Sequence, residues 1–251
     1  MKRTFLLLAA LLLALAGCRS GQADDPILQL SAEESLAQGK ELLANQKYAK
    51  ARPYFTHAFE VEPNSAIGRE GLLLAADTYY QEGGTTNYVQ AEAKYRDFLN
   101  RFPTSEQAPY VQFQIANSLA KRMEKPDRDQ TVTRKALEAY RELVRIYPTS
   151  EYAAQAQEQI ALVQNNLAEH EFTVGRFYMR HRVPVGAVQR FETLLENYPQ
   201  YSDRDKVIYH LGLAYEQMGK AEDAAKAFDR LRAEHPQSPY LAEIPQRRAQ
   251  T

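Results

Sequence analysis

The side chains that most often carry chemistry are few in this chain, and they are scattered. His57, His170, His181, His210 and His235 fall in different segments, no His-Glu-x-x-His occurs, and one cysteine cannot build a Cys-rich site. No metal or cofactor is therefore expected. Asp127-Arg128-Asp129 sets two carboxylates two positions apart, a pattern that could serve acid–base work. Flanked by Lys125 and Arg134, it is better read as a solvated charge cluster or a partner contact. Gly83-Gly84 is a turn pair without the spacing of a phosphate-cradling loop, and no Gly-x-Ser-x-Gly marks a nucleophile. The expectation is a protein that is not an enzyme.

Cys18 is the only cysteine, so an intrachain disulfide is excluded and its setting has to explain it. Met1-Lys2-Arg3 is basic and Phe5 to Ala16 is an unbroken apolar run. Twelve helical residues span roughly 18 Å, short of the ~30 Å hydrocarbon core, so the run fits a secretory signal peptide. Leu15-Ala16-Gly17-Cys18 follows directly and resembles the lipobox of bacterial lipoproteins. The alternative is an ordinary signal peptide with an incidental cysteine. The lipobox resemblance implies removal of residues 1–17, acylation of Cys18 and a tether over residues 18–30. Arg19 and Ser20 lack the Asp that retains many such lipoproteins in the inner membrane, which implies the outer membrane, periplasmic face.

The remaining residues must be positioned by helices. Apolar residues are 44% and charged residues 25% of the chain, as in an ordinary folded protein; Ala, Leu, Glu, Gln, Lys and Arg dominate and β-branched runs are missing. Lys+Arg (31) and Asp+Glu (32) nearly cancel, against the basic excess a nucleic-acid binder carries. A repeat then emerges. Pro63, Pro103, Pro148, Pro199 and Pro236 each close a segment. Twelve residues before each stands Ala51, Ala91, Ala136, Ala187 or Ala224; eight before, Phe55, Tyr95, Tyr140, Phe191 or Phe228; five before, Ala58, Phe98, Leu143, Leu194 or Leu231.

This register resembles the second helix of the tetratricopeptide repeat, with first-helix signatures in Gly39, Gly175-x-x-Tyr178 and Leu211-Gly212-x-x-Tyr215. The expected fold is all-α: a tetratricopeptide-repeat superhelix of about five helix pairs, or ten helices. Prolines spaced 40, 45, 51 and 37 residues apart place the excess length locally. It is expected at a long turn over Gly83 to Asn87, a loop over Glu124 to Thr131, and one long or slightly broken helix from Glu151 to Arg182, with Pro184 suited to the first turn of the next. Ser31 and Asp203 are expected helix N-caps, and the stretch from Pro236 to Thr251 a frayed end.

Leu167-Ala168-Glu169-His170-Glu171, then Val174, Arg176, Phe177, Tyr178 and Arg180, then Ala187-Val188-Gln189-Arg190-Phe191-Glu192 and Glu196-Asn197-Tyr198-Pro199, resemble the signature of the BamD family of outer-membrane assembly lipoproteins. Asp127-Arg128-Asp129-Gln130, with Tyr147-Pro148-Thr149-Ser150-Glu151-Tyr152, resembles that family's Asp-Arg-Asp loop and third-repeat ending. At His181-Arg182-Val183-Pro184 the chain departs from the family's usual Gly-Ala-aromatic turn. The resemblance implies a non-enzymatic subunit of the machinery that folds and inserts β-barrel proteins into the outer membrane. Repeats 1–2 (residues 31–104) would receive unfolded outer-membrane β-barrel proteins, with Tyr79, Tyr80 and Tyr88 on a peptide groove. Repeats 3–5 (residues 105–236), ahead of a tail over residues 237–251, would dock the POTRA domains of a BamA-like protein through Arg190, Arg176 and Arg180. Other Bam lipoproteins are implied as partners. The alternative is a tetratricopeptide lipoprotein serving cell-wall enzymes or pilus assembly.

Overall fold

The computed structural model describes residues 25–245. Cys18, the signal-peptide run and the last six residues of the expected tail lie outside the described residues. Among the described residues there are ten α-helices and no strand. They are α1 (Ala32–Ala44), α2 (Tyr48–Val61), α3 (Ala66–Glu82), α4 (Thr85–Arg101), α5 (Ala108–Ala120), α6 (Thr131–Ile146), α7 (Glu151–Arg180), α8 (Pro184–Asn197), α9 (Arg204–Gln217) and α10 (Ala221–Glu234). Short 3-10 turns at Pro26–Gln29 and Pro239–Glu243 flank them.

The repeat pattern is explained side chain by side chain. All five alanines, all five aromatic rings and all five residues at the third position are buried. A methyl group at the alanine lets the neighbouring helix approach, and the ring fills the groove beside it. Each second helix then ends in the same way. Glu62, Phe102, Tyr147, Tyr198 and His235, the residues before the five prolines, have φ between −124° and −134° and ψ between 56° and 67°. The proline ring disfavours helical backbone in the residue ahead of it, so five unrelated side chains share one conformation.

The chain divides into two compact units, residues 1–78 and 79–251. In the first, Leu36, Ala51, Phe55, Ala58 and Ala75 form the core, with Leu42, Leu43, Ile67 and Leu74 against it. Ser31 opens α1 with a full capping box: its hydroxyl accepts from Glu34 N–H while the Glu34 carboxylate accepts from Ser31 N–H. In the second unit, consecutive helices from α4 to α10 each pack on the next. One core cluster in it joins Phe172, Ala187, Phe191, Leu194, Ile208, Leu211, Phe228 and Leu231 across α7 to α10.

Three details depart from what the sequence led one to expect. The turn after α3 is only Gly83 and Gly84, at φ 74° and 87°, and Thr85 already belongs to α4. Two left-handed glycines complete the reversal, and the extra length goes into two helices of 17 residues. Asp203 stands at the N-cap of α9 but caps nothing; its carboxylate is taken by Lys206 Nζ at 2.9 Å. The segment from Pro236 to Pro245 is packed rather than frayed. Tyr240 stacks on Tyr209 with centroids 5.2 Å apart, and Ser238 donates to Asp205 Oδ2 at 2.6 Å. The long helix forms without a break, 30 residues from Glu151 to Arg180, two residues short of the expected end, with Pro184 at the start of α8.

Candidate functional site

Two helix faces meet around Arg190. On α7, Glu171 and Tyr178 are seven residues apart and lie on one face. On α8, Gly186 and Arg190 are four apart and do the same. The two pairs match: a Cβ at Gly186 would stand 3.1 Å from the Tyr178 ring, and Arg190 Nη1 donates to Glu171 Oε2 at 2.9 Å. Glycine at 186 is therefore what lets the Tyr178 ring lie against α8 one turn from the arginine. The Glu171 side chain is 12% exposed and that of Arg190 41%, so a buried carboxylate holds a guanidinium that still reaches solvent. The hydrogen bond from Arg190 to Glu171 raises the arginine's pKa further above its ordinary value, with the Tyr178 hydroxyl contributing beside it. A permanently charged, planar, part-exposed group that keeps N–H donors beyond those given to Glu171 and Tyr178 can pair with a carboxylate on another molecule.

Arg176 and Arg180, the other two docking candidates implied by the family resemblance, are not brought to this place. At 100° per residue they lie roughly 140° and 180° around α7 from Glu171. Arg176 instead stands over the Phe172 ring at 5.8 Å and contributes to the field at His210. Of the three, Arg190 alone faces the α7–α8 seam.

A second cluster on the same helix was not legible from spacing. Lys206 Nζ bonds to Glu169 Oε2 at 3.1 Å and to Asp203 Oδ2 at 2.9 Å while sitting 4.3 Å above the Phe172 ring. Tyr201 donates its hydroxyl to the same Glu169 carboxylate, and burial together with that bond pushes the phenol's pKa upward. The cluster joins α7, the turn after α8 and α9. Its role is to lock three elements together.

The Asp127-Arg128-Asp129 loop is held from below. The Gln130 side chain, 1% exposed, donates to the carbonyls of Lys125 and Arg128 and accepts from the Thr133 hydroxyl at 2.8 Å. His170 Nδ1 approaches Pro126 O at 2.6 Å. Asp129 accepts from the backbone N–H and the hydroxyl of Thr131 at the start of α6, and these bonds lower its pKa. It is thus committed to the fold. Asp127 and Arg128 remain exposed, with their charges 3.9 Å apart.

Tyr79 and Tyr80 lie in the last turn of α3 and Tyr88 on α4, and Tyr80 is half-buried. Tyr80 and Tyr88 are brought together, their ring centroids 5.7 Å apart, and burial raises the Tyr80 pKa. Among the described residues no three His, Cys, Asp or Glu side chains converge as metal ligands, and no helix is long and apolar enough to cross a membrane.

Comparison with known proteins gives this geometry a family. The model of the YfiO family, described as outer membrane lipoprotein, matches residues 29–231. The outer membrane protein assembly factor BamD of Rickettsia prowazekii is 27% identical over 96% of this chain and 96% of its own length. The BamD of Caulobacter vibrioides is 28% identical over 87% of this chain and 72% of its own. A solved tetratricopeptide structure, the TPR2AB domain of yeast Sti1 in its pHSP90 complex, aligns with a TM-score of 0.43 at 15% identity, over 82% of this chain and 78% of that one. With most of its length matched by one family model, the chain belongs to the YfiO/BamD family.

Proposed function

We propose that this chain is a non-enzymatic, lipid-anchored outer-membrane subunit of the machinery that assembles β-barrel proteins. Cys18 carries the anchor on the periplasmic face. Its relatives carry the name outer membrane protein assembly factor, and family membership is the ground for extending that role here. The observation that carries the reading is the part-exposed guanidinium of Arg190, held on a buried carboxylate at 2.9 Å. Such a group is suited to an acidic surface on a folded partner, which we take to be the POTRA region of a BamA-like barrel protein. The paired rings of Tyr80 and Tyr88, with Tyr79, offer flat apolar faces with polar tips, suited to extended segments of unfolded barrel proteins.

The test is co-purification. From envelopes solubilised in mild detergent, the wild-type chain should bring down a POTRA-containing barrel protein, and Arg190→Glu should lose most of it. Recovery of cell-wall enzymes or pilus subunits instead, with normal barrel levels after depletion, would overturn the reading.

A further inference from the structure

We infer that Glu171 is a positioning residue for docking: it acts on an acidic partner through Arg190, by holding the guanidinium in its bound direction before the partner arrives. The inference rests on the reading of Arg190 as a docking group and adds a role for a side chain that never touches the partner.

A free arginine would behave differently. Its long side chain has many rotamers, and ordering one such chain on binding weakens the affinity roughly threefold to tenfold. Arg190 has already lost that freedom. Glu171 is 9% exposed, so its carboxylate cannot follow a wandering partner, and it fixes the head of the arginine at 2.9 Å. Tyr178, seated on Gly186, walls the same seam.

A carboxylate beside a docking cation could instead compete with the partner for it. The geometry argues against competition. Glu171 accepts from Nη1 and the Tyr178 hydroxyl takes a second bond, and a guanidinium has five N–H groups, so donors remain for an incoming carboxylate. The two acids can share one arginine. The sequence hides this: Glu171 reads as one more charged helix residue, and only the meeting of α7 with α8 shows that it faces inward.

The experiment measures affinity of the full acylated chain in detergent for purified POTRA domains of its own organism's BamA-type protein. Arg190→Ala should weaken binding at least tenfold. Glu171→Ala should weaken it roughly threefold to tenfold, the range set by the ordering cost of one long side chain. Glu171→Gln, which keeps an acceptor oxygen, should stay within about twofold of wild type. In an Arg190→Ala background, Glu171→Ala should have no further effect; a loss that persists there marks general damage to the fold and overturns the inference. Tighter binding by Glu171→Ala means competition and overturns it too. If wild type and Arg190→Ala bind alike, the docking reading itself fails and this inference falls with it, a result distinct from loss in Arg190→Ala with none in Glu171→Ala. A partner-free arm uses side-chain nitrogen NMR. The Arg190 Nη signals should be separate in the wild type, through hindered rotation, and merge in Glu171→Ala; merged signals in the wild type contradict the inference.

Discussion

Gly212 lies directly beneath the ring of Phe228: a Cβ built on the glycine would stand 2.4 Å from ring carbon Cε1. Gly39 stands in the same relation to Phe55 at 2.6 Å, and Gly175 to Phe191 at 2.4 Å. Three helix pairs thus cross at a point where one side chain must be a ring and the other must be absent. Phe228 is 5% exposed and Ala224, one turn earlier, 2%, so the ring has nowhere to retreat.

Gly212→Ala should therefore destabilise the second unit by about 1–3 kcal/mol through overpacking. Phe228→Ala should cost about 3–5 kcal/mol by emptying the site. The double variant should be more stable than the sum predicts, because the added methyl enters the space the ring has left. Urea unfolding of the four proteins closes the cycle, and simple additivity would show that glycine and ring do not share the space.

The helix ends before these crossings carry a different strain. α1, α7 and α9 are each followed by a left-handed residue: Gln46 at φ 56°, Arg182 at φ 58° and Gly219 at φ 72°. At each, the following amide bonds back five residues, Lys47 to Leu42, Val183 to Tyr178 and Lys220 to Tyr215, all at 2.9 Å. Only Gly219 adopts this backbone without a Cβ penalty, which is about 1–2 kcal/mol for other residues. Arg182→Gly should raise stability by a few tenths to about 1 kcal/mol after the extra unfolded-state freedom of glycine is subtracted. Gly219→Ala should lower it by a similar amount. Thermal melts of the two variants should move in opposite directions.

Much of this was legible in the sequence, for a physical reason. The proline, alanine and aromatic positions recur because every helix pair solves the same packing problem, and the fifteen residues at the three inward positions are all buried. What stayed hidden depends on which helix faces meet. Asp203 looked like a cap but serves Lys206, 2.9 Å away, because Lys206 is drawn over Phe172 and leaves the Asp203 carboxylate a better partner than the helix end. Arg176 and Arg180 looked like companions of Arg190, yet helical phase turns them away from it. Tyr240 gave no periodic signal, and its stacking on Tyr209 needed the fold to bring it there.

Gln130 shows how a loop without regular structure is kept in one shape. Its amide satisfies the carbonyls of Lys125 and Arg128, at 2.8 Å and 3.1 Å, from a buried position. Gln130→Ala leaves both without that donor and should cost about 1–3 kcal/mol. The local effect should be larger than the global one: trypsin should cut after Lys121, Arg122 or Arg128 many times faster, with α7 to α10 still folded. Unchanged cleavage would mean that His170, at Pro126, holds the loop by itself.

His210 gives the second unit a pH dependence whose sign is fixed by its surroundings. Its Nδ1–H donates to the Lys206 carbonyl at 2.8 Å, and the ring stands edge-on to Phe172 and Tyr209. Burial is the main influence and lowers the pKa below 6.5; the Lys206 carbonyl and Glu243 pull the other way, and the positive charges of Arg176 and Lys206 add to the lowering. The unfolded chain, with an ordinary histidine near 6.5, binds the proton first as pH falls. Stability is therefore fully present above about pH 6.5 and declines as pH drops toward and through the folded value. Wild type should lose melting temperature more steeply between pH 7 and pH 5 than His210→Gln, which cannot take up that proton. Carboxylates titrate in both proteins, so the difference in slope isolates the imidazole, and equal slopes would show that its protonation is not coupled to folding.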